Sequence, residues 1–302
     1  MMQLQEYLHN CSVDEELKKV VLAFANAGKR ISEAIQTAPC GKTGTKNIYG
    51  EEQLALDIIA DRIVQEEMKS SQAVGLLASE ELDKELFIDK NFPYAVCFDP
   101  LDGSSLFDAN LSVGTIFGIY RSDHFIGLTG DDQVASGFFL YGPKTTMMLT
   151  LRDGVREFLL DQKSGIFHLS NDALKVSEEG KMFAPGNLRA TKFRQDYVDL
   201  MNFWMREQYT LRYSGGMVAD INQILIKGKG IFTYPSYEEA LDGKLRLLVE
   251  CNPMALLMEQ ACGYAQDGVN RILEKEIISL SQRTPIYIGS KREVERVVEF
   301  LH

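Results

Sequence analysis

The 302-residue chain is long enough for one or two domains with a substantial buried core. Its net charge of −11 argues against nonspecific binding to nucleic acid or to an anionic membrane, and no apolar run reaches membrane-spanning length. The amino-terminal segment lacks the basic and apolar regions of a secretory signal and the five cysteines are scattered, so we expect a cytoplasmic protein with reduced thiols.

The first half of the chain combines two predicted helices with a series of strands. Apolar residues recur at three- and four-residue spacing over 13–37, with Ser12 as a candidate N-cap, and again over 51–69. Runs rich in β-branched and aromatic residues then predict strands at 74–78, 94–99, 112–120, 134–141, 145–151, 156–160 and 165–169. A polar, charged stretch over 171–181 follows, and we place a domain boundary there, after residue 175.

The second half alternates helical and strand patterns, which is typical of an α/β domain. The predicted helices cover 196–207, 217–227, 253–264 and 292–301, and the predicted strands cover 230–234, 244–250 and 285–288. We therefore predict an amino-terminal domain of helices and a mainly antiparallel sheet over 1–175, and a carboxy-terminal α/β domain over 176–302.

The most informative stretch is Phe98-Asp99-Pro100-Leu101-Asp102-Gly103-Ser104-Ser105, directly after an apolar strand. Pro100 cannot donate to a sheet ladder, so the strand should end near Asp99. Gly103 permits a tight turn, and the residues after it offer backbone N–H groups and hydroxyls. One explanation is an ordinary polar turn; the other is a site where carboxylates bind a hard cation and N–H groups bind phosphate.

Further acids favour the second explanation. Glu80 and Glu81 directly follow the strand at 74–78, and Asp57 lies among the apolar residues of the second predicted helix. Ligands of open α/β sheets collect outside strand ends. Together with Asp99, Asp102 and Glu250 these carboxylates would repel one another unless cations bind between them. We therefore predict Mg²⁺, with Mn²⁺ as a substitute, and two ions about 3.5–4 Å apart can clamp the oxygens of a phosphoryl transfer.

Other hydrolytic chemistries have little support in this sequence. The motifs H-E-x-x-H, G-x-S-x-G, C-x-x-C and the Walker loop are absent. Glycoside hydrolysis by two carboxylates would leave the Ser104-Ser105 pair and the downstream basic residues without a role. A phosphate monoester carries up to about two negative charges, so a phosphate ligand would need basic partners. Lys244 and Arg246 alternate along a predicted strand and so face opposite sides, which lets one of them point to such a ligand.

The motifs F-D-P-L-D-G-S-S at 98–105, S-E-E at 79–81 and E-C-N-P-M-A at 250–255 together resemble the class I fructose-1,6-bisphosphatase and sedoheptulose-1,7-bisphosphatase family. The resemblance runs from 47–51 to 289–291. It implies an α/β fold, the layered α/β/α/β/α sandwich of the sugar phosphatase superfamily. It also implies two or more Mg²⁺ ions and hydrolysis of the 1-phosphate of a ketose bisphosphate, in gluconeogenesis or in the Calvin or pentose phosphate pathway.

The resemblance also implies roles for individual residues. The implied metal ligands are Glu80, Asp99, the Leu101 carbonyl, Asp102 and Glu250. The groups that would orient or deprotonate the attacking water are Asp57 and Glu81. The implied substrate contacts are Asp102, Gly103, Ser104 and Ser105 at the 1-phosphate, and Asn187, Arg212, Tyr213, Tyr234 and Lys244 at the sugar and distal phosphate. Family resemblance further implies a dimer or tetramer in which Arg212 serves the neighbouring subunit's site.

Features of the two enzyme types are mixed in this chain. The segments 128–134, 183–191 and 209–216 are similar to the sedoheptulose enzymes, and 232–235 and 250–253 to the fructose enzymes, so the sugar stays open. Two alternatives remain: a lithium-sensitive phosphatase for inositol phosphates or nucleotide bisphosphates, and a non-catalytic sugar-phosphate-binding regulatory protein. The presence of all six acids favours an active enzyme. The resemblance implies a small sugar bisphosphate as its partner, and we expect no binding to nucleic acid or to a membrane.

Overall fold

The computed structural model describes residues 1–37, 42–46 and 52–301. Its helices are α1 (Leu4–Asn10), α2 (Glu15–Thr37), α3 (Ala55–Ser70), α4 (Gln195–Arg206), α5 (Met217–Lys227), α6 (Asn252–Gln260) and α7 (Lys291–Phe300). Its strands are β1 (Lys42–Lys46), β2 (Glu52–Leu54), β3 (Val74–Ser79), β4 (Leu86–Phe87), β5 (Tyr94–Asp102), β6 (Val113–Tyr120), β7 (Gln133–Tyr141), β8 (Thr145–Thr150), β9 (Val155–Asp161), β10 (Ile166–Leu174), β11 (Met182–Pro185), β12 (Thr210–Leu211), β13 (Ile231–Tyr234), β14 (Leu245–Arg246), β15 (Tyr264–Gln266), β16 (Arg283–Thr284) and β17 (Ile286–Gly289). Cys40 and the 47–51 segment, where the resemblance begins, lie outside the described residues.

The elements stack in five layers. An eight-stranded sheet has the order β10-β9-β8-β7-β6-β5-β3-β4, and a five-stranded sheet has the order β12-β11-β13-β17-β15. Helices α1, α2 and α3 cover the outer face of the first sheet, and α4 and α7 cover the outer face of the second. Helices α5 and α6 pack between the two sheets in one buried cluster. This α/β/α/β/α order confirms the predicted fold class.

Strand β5 shows how the sequence produces this layering. All nine of its residues are buried, because both faces of the sheet are covered. Side chains alternate along a strand, so Val96 and Phe98 pack with the outer helices while Ala95 and Cys97 pack with the inner ones. The first part of β5 is therefore apolar on both faces, and its polar residues come at its end.

Two predicted boundaries need correction. Strand β5 continues through Pro100 to Asp102 instead of ending near Asp99, and its ladder with β6 shifts register between Asp99 and Asp102. An irregular ladder is where a strand tolerates proline. Helix α2 is capped by Asp14, not by Ser12: the Asp14 Oδ1 atom accepts the Leu17 N–H at 2.8 Å.

The predicted strand at 244–250 is wrong beyond its first residues. Strand β14 ends at Arg246, and one turn of π-helix (Leu247–Cys251) then leads into α6. The five residues of this turn are all buried, and periodicity alone cannot separate a fully buried strand from a buried helical turn. The Arg246 N–H donates to Glu250 Oε2 at 2.5 Å across the turn.

The predicted domain boundary after residue 175 lies between β10, an edge of the first sheet, and β11, in the second. One buried cluster nevertheless includes residues of both sheets, among them Phe138 and Phe232. The division into 1–175 and 176–302 therefore stays a prediction. Within the described ranges, no helix is both long and apolar enough to cross a membrane.

The contact between α2 and the first sheet predicts an unusual response to substitution. A Cβ atom at Gly28 would lie 2.5 Å from the ring of Phe139 in β7. Alanine is favoured over glycine in a helix by about 1 kcal/mol, but overpacking a core typically costs about 1–3 kcal/mol. We therefore expect Gly28→Ala to lower the free energy of unfolding, measured in urea. Asn26→Ala, at an exposed position of α2, is the control and should be neutral or stabilising. A Gly28→Ala protein whose free energy of unfolding is unchanged or higher would contradict the close packing of Gly28 against Phe139.

Candidate active site

The parallel pairing of β3 with β5 brings the acidic strand ends together. Ser79 of β3 pairs with Phe98 of β5, so the residues after each partner leave the same edge of the sheet. Glu80 and Glu81 therefore lie beside Asp99 and the turn that follows it. The two acidic strand ends in the sequence predicted that these carboxylates lie close together. The parallel register of β3 with β5 explains why they do.

A cavity of about 310 Å³ opens at this edge. It is lined by Asp57, Glu80, Glu81, Asp99, Leu101, Asp102, Gly103, Ser104, Ser105, Tyr213, Gly215, Gly216, Met217, Phe232, Tyr234, Lys244, Leu245, Arg246, Glu250 and Arg283. All of the residues singled out from the sequence are among these, except Asn187 and Arg212.

Three carboxylates form the buried centre of the cavity. One oxygen each from Asp99, Asp102 and Glu250 lies within 4.8 Å of the others. The three residues are only 4%, 9% and 7% exposed, respectively. Asp99 and Asp102 come from the irregular end of β5, and Glu250 comes from the π-helical turn before α6. Oxygen atoms so close together are a ligand set that suits a hard divalent cation.

Backbone donors hold these acids in place. The Leu101 N–H donates to Asp99 Oδ1 at 2.9 Å. Asp102 lies at the amino terminus of α5, where it accepts the Val218 N–H at 2.8 Å and the Met217 N–H at 3.3 Å. A helix amino terminus favours negative charge, so this position stabilises the Asp102 carboxylate.

Burial nevertheless disfavours the charged forms of all three acids. It raises the pKa of Asp102 to about 6, against the opposing effect of the Val218 and Met217 N–H groups. It raises the pKa of Glu250 to about 7, although the Arg246 N–H and guanidinium act in the other direction. Burial, and then the charges of Asp102 and Glu250, raise the pKa of Asp99 well above its usual range. A bound cation would relieve this repulsion, so the residues present fit a metal site.

Arg246 of β14 connects the turn that supplies Glu250 to the acidic residues that follow β3. It is only 2% exposed, and its guanidinium pairs with Glu80 Oε1 at 2.5 Å and donates to the Glu80 carbonyl at 3.2 Å. The sequence allowed either Lys244 or Arg246 to point inward. In the structure both line the cavity, but Arg246 is committed to Glu80 while Lys244 is exposed at the rim.

The turn after Asp102 forms a wall that depends on glycine. Gly103 has φ +73°, in the left-handed region, and a short 3₁₀ helix (Ser104–Ala109) follows. A Cβ atom at Gly103 would lie 3.4 Å from the Cα atom of Gly216, at the start of α5. The turn therefore passes close to the start of α5, and Ser104 and Ser105 line the cavity beside this close approach of two backbones.

The cavity lining also includes basic and aromatic side chains. Among them are Lys244, Arg283, Tyr213 and Tyr234, and Arg283 donates to the Lys244 carbonyl. Burial, and then Tyr213, raise the pKa of Tyr234 to about 12, so its hydroxyl remains a donor at neutral pH. Arg283 was not predicted, because only the pairing of β14 with β16 brings it beside Arg246. No local sequence pattern marks it.

Two predicted substrate residues do not line the cavity. Asn187 has φ +53° and its side-chain amide donates to the Pro235 carbonyl at 2.9 Å. Arg212 is exposed, and its backbone N–H donates to the Phe183 carbonyl beside the edge strand β12. The roles assigned to both residues stay predictions.

Comparisons with known proteins match this geometry. The family model described as fructose-1-6-bisphosphatase, N-terminal domain, matches residues 2–172, and the one described as fructose-1-6-bisphosphatase, C-terminal domain, matches residues 176–302. The fold and the acidic cavity define a phosphatase class that uses divalent metal ions. The chain belongs to the fructose-1-6-bisphosphatase family.

Relatives of both enzyme types are similar to this chain. The chloroplastic sedoheptulose-1,7-bisphosphatase of Triticum aestivum is 43% identical over 99% of this chain and 76% of its own length. The class 1 fructose-1,6-bisphosphatase of Geobacter metallireducens is also 43% identical, over 99% of this chain and 95% of its own. The holo-form structure of Leishmania major fructose-1,6-bisphosphatase has a TM-score of 0.94 at 32% identity, covering 99% of this chain and 98% of that one.

The buried acids predict the pH dependence of the metal-free protein. The pKa of Glu250 rises from 4.5 to about 7 on folding, so its contribution to stability is present below about pH 4.5 and is lost as the pH rises through about 7. Glu250→Gln removes the titration and keeps an oxygen acceptor for the Arg246 N–H. We expect urea unfolding in a chelator to show wild type losing stability relative to Glu250→Gln by a few kcal/mol across this range. Glu239→Gln, at an exposed site, is the control. A stability difference independent of pH would contradict the assignment.

Proposed function

We propose that this protein hydrolyses the 1-phosphate of a ketose bisphosphate, either fructose 1,6-bisphosphate, sedoheptulose 1,7-bisphosphate or both. The observation that supports this most strongly is the mixed lining of one cavity. A buried cluster of acids and a donor-rich turn line it together with the basic side chains of Lys244 and Arg283. A substrate with two phosphate groups matches such a lining: one phosphate would bind beside the acids through a cation, and the other would bind basic side chains.

The metal ligands in this proposal are Glu80, Asp99, the Leu101 carbonyl, Asp102 and Glu250. Two or more Mg²⁺ ions would bind there, with Mn²⁺ as a substitute. When bound, such ions neutralise developing charge on the phosphoryl oxygens and lower the pKa of a bound water. The chain's own contribution is to hold the acids at fixed positions, through the N–H donors of Leu101, Met217 and Val218.

Asp57 and Glu81 would orient the attacking water and accept its proton. Both line the cavity, and Asp57 is buried in the first turn of α3. The water oxygen attacks phosphorus as the bond to the sugar oxygen breaks, and the products are inorganic phosphate and a sugar monophosphate. Ser104 and Ser105 would hold the 1-phosphate by their N–H groups and hydroxyls during this step.

The sugar and the distal phosphate of the substrate would be bound by Tyr213, Tyr234 and Lys244, with Asn187 as a further candidate. The similar proteins from Triticum aestivum and Geobacter metallireducens are named for different sugars, and the segments of this chain resemble both types. The division into domains 1–175 and 176–302, a cytoplasmic location, and a place in gluconeogenesis or in the Calvin or pentose phosphate pathway stay predictions.

Phosphate release tests the proposed function directly. We expect the purified protein with Mg²⁺ to release phosphate from one or both ketose bisphosphates, and not from inositol phosphates or nucleotide bisphosphates. Asp99→Asn should abolish turnover while the protein remains folded, because it removes a charged ligand from the buried cluster. Asp83→Asn, at an exposed position just after Glu81, is the matched control and should keep wild-type activity. Full activity of Asp99→Asn, or release only from inositol or nucleotide substrates, would contradict the proposal.

Self-association is the second part of the proposal. A bidentate guanidinium is the best protein donor for a dianionic phosphate. Arg212 is exposed on its own subunit and lies next to Tyr213, which lines the cavity. We propose a homodimer, or a tetramer built from such dimers, in which Arg212 contributes to the distal phosphate site of the neighbouring subunit.

Mixing inactive variants tests this shared site. If Arg212 acts in the neighbouring subunit, a hybrid of Arg212→Ala and Asp102→Asn subunits has one site with both defects and one site with neither. Phosphate release should therefore return in part after subunit exchange. The matched control mixes Asp102→Asn with Asp99→Asn, which leaves a defect in every site and should restore nothing. Verified exchange without recovery in the first mixture would exclude the shared site.

A further inference from the structure

A buried carboxylate outside the cavity lies one helical turn from Asp57. Asp61 of α3 is 9% exposed and does not line the cavity. The Ser79 hydroxyl donates to its Oδ1 atom at 2.5 Å, and the Gln65 amide donates to its Oδ2 atom at 2.7 Å. Residues four apart share one face of a helix, so Asp57 and Asp61 both face the end of β3.

Ser79 extends this contact to Glu80 and Glu81, which form the acidic loop after β3. It is the last residue of β3 and directly precedes Glu80 and Glu81. Its Oγ atom accepts the Glu81 N–H at 3.2 Å while donating its own proton to Asp61. A hydroxyl has one proton and two lone pairs, so both hydrogen bonds form together. A continuous chain of hydrogen bonds thus runs from the Glu81 backbone through Ser79 to α3.

Other contacts fix the same loop from different directions. The Glu80 N–H donates to the Phe98 carbonyl of β5 at 3.0 Å, and Arg246 pairs with the Glu80 side chain. Those contacts place Glu80 relative to the metal-ligand cluster. The Asp61–Ser79 pair instead connects the loop to the helix that supplies Asp57, and it meets the backbone at Glu81.

The energetics of Asp61 favour a specific role. Its neighbours on the buried face of α3 include Ala60 and Val64, so an apolar side chain would suit this position. Burial raises the pKa of the Asp61 carboxyl, which means that burying its charge opposes folding. An apolar residue would avoid that cost but could not accept a hydrogen bond from the Ser79 hydroxyl.

We propose that Asp61 is a positioning residue that, through Ser79, sets the separation of Glu81 from Asp57. This inference rests on the proposed function, in which these two acids act on the attacking water. It assigns Asp61 and Ser79 no contact with substrate. A small displacement of a catalytic group is enough to lower a rate about 10²-fold. The pair should therefore affect the chemical step and leave substrate binding nearly unchanged.

Steady-state kinetics with the bisphosphate test this role. We expect Asp61→Ala and Ser79→Ala each to lower kcat by about 10- to 100-fold, with KM unchanged within about 2-fold. The double variant should lose no more than either single variant, because both remove the same link. Asp61→Asn keeps an oxygen acceptor for the Ser79 hydroxyl and should retain most of the activity. A rise in KM at constant kcat, or additive losses in the double variant, would overturn the proposal.

A variant of the same helix controls for general loosening. Glu67 of α3 pairs instead with Arg30 of α2, at 2.8 Å. Glu67→Ala should lower stability without lowering kcat. If Asp61→Ala destabilises the protein to the same degree but leaves kcat at the wild-type value, the role of Asp61 is structural only and the proposal fails.

Amide hydrogen exchange gives a readout that does not depend on activity. In the metal-free protein without substrate, Asp61→Ala and Ser79→Ala should each speed exchange at the Glu81 amide by at least about 10-fold, and Glu67→Ala should not. Unchanged Glu81 exchange in both variants would overturn the proposal even if turnover fell. If the two variants show the expected faster exchange but wild type hydrolyses no bisphosphate, the proposed function fails, and with it the effect of the pair on turnover. The hydrogen-bonded connection from Asp61 through Ser79 to the Glu81 backbone would still be supported.

Discussion

Repulsion among buried carboxylates is the constraint on which the rest of this structure depends. Asp99, Asp102 and Glu250 bring their oxygens within 4.8 Å of one another although each is almost fully buried. Burial raises the pKa of all three acids, so their charged forms are disfavoured when no cation is bound. The cluster persists because the two segments that supply it are fixed by packing on both faces of the sheets. Stability given up at a site of this kind is a common cost of function.

The same constraint explains where the donors lie. Asp102 is placed at the start of α5, and the Arg246 N–H closes the π-helical turn onto Glu250. The Arg246 guanidinium then compensates the charge of Glu80, which follows β3. Asp102, Glu250 and Glu80 are thus each oriented by a group from a different element, while Asp99 is held within β5 by the Leu101 N–H. The site can exist only when β5, α5 and the turn after β14 are assembled together, which couples its geometry to the packing of the inner layer.

The sequence predicts the parts of this site that depend on local pattern. Helix α5 matches its predicted range of 217–227, because its apolar residues recur regularly and Gly216 and Gly228 flank it. The acids at the ends of β3 and β5 were found because each directly follows an apolar run. Pattern fails where burial is complete: the π-helical turn at Leu247–Cys251 looks like a strand when only its hydrophobicity is considered.

Other features depend on pairing between distant segments and leave no local signal. Arg283 reaches the cavity only because β16 pairs with β14. Asp61 looks like any polar residue of an amphipathic helix until the structure places Ser79 beside it. Helix α1 was missed altogether; its seven residues are too few to show a clear period, and packing beneath α2 and β10 stabilises it.

The charged side chains of the cavity also bear on the choice of sugar. Acids that require cations and basic side chains that do not line the same cavity, so the two phosphates of a bisphosphate would have different partners. The two ketose substrates differ by one carbon, which lengthens the molecule by about one C–C bond, roughly 1.5 Å. Lys244 is exposed at the rim and presents a point charge on a flexible stem, so it can follow a shift of that size. A guanidinium that binds a phosphate through two parallel N–H bonds cannot do so without losing its geometry. Discrimination between the two sugars would therefore depend on the position of Arg212 across the proposed interface more than on Lys244 within the subunit.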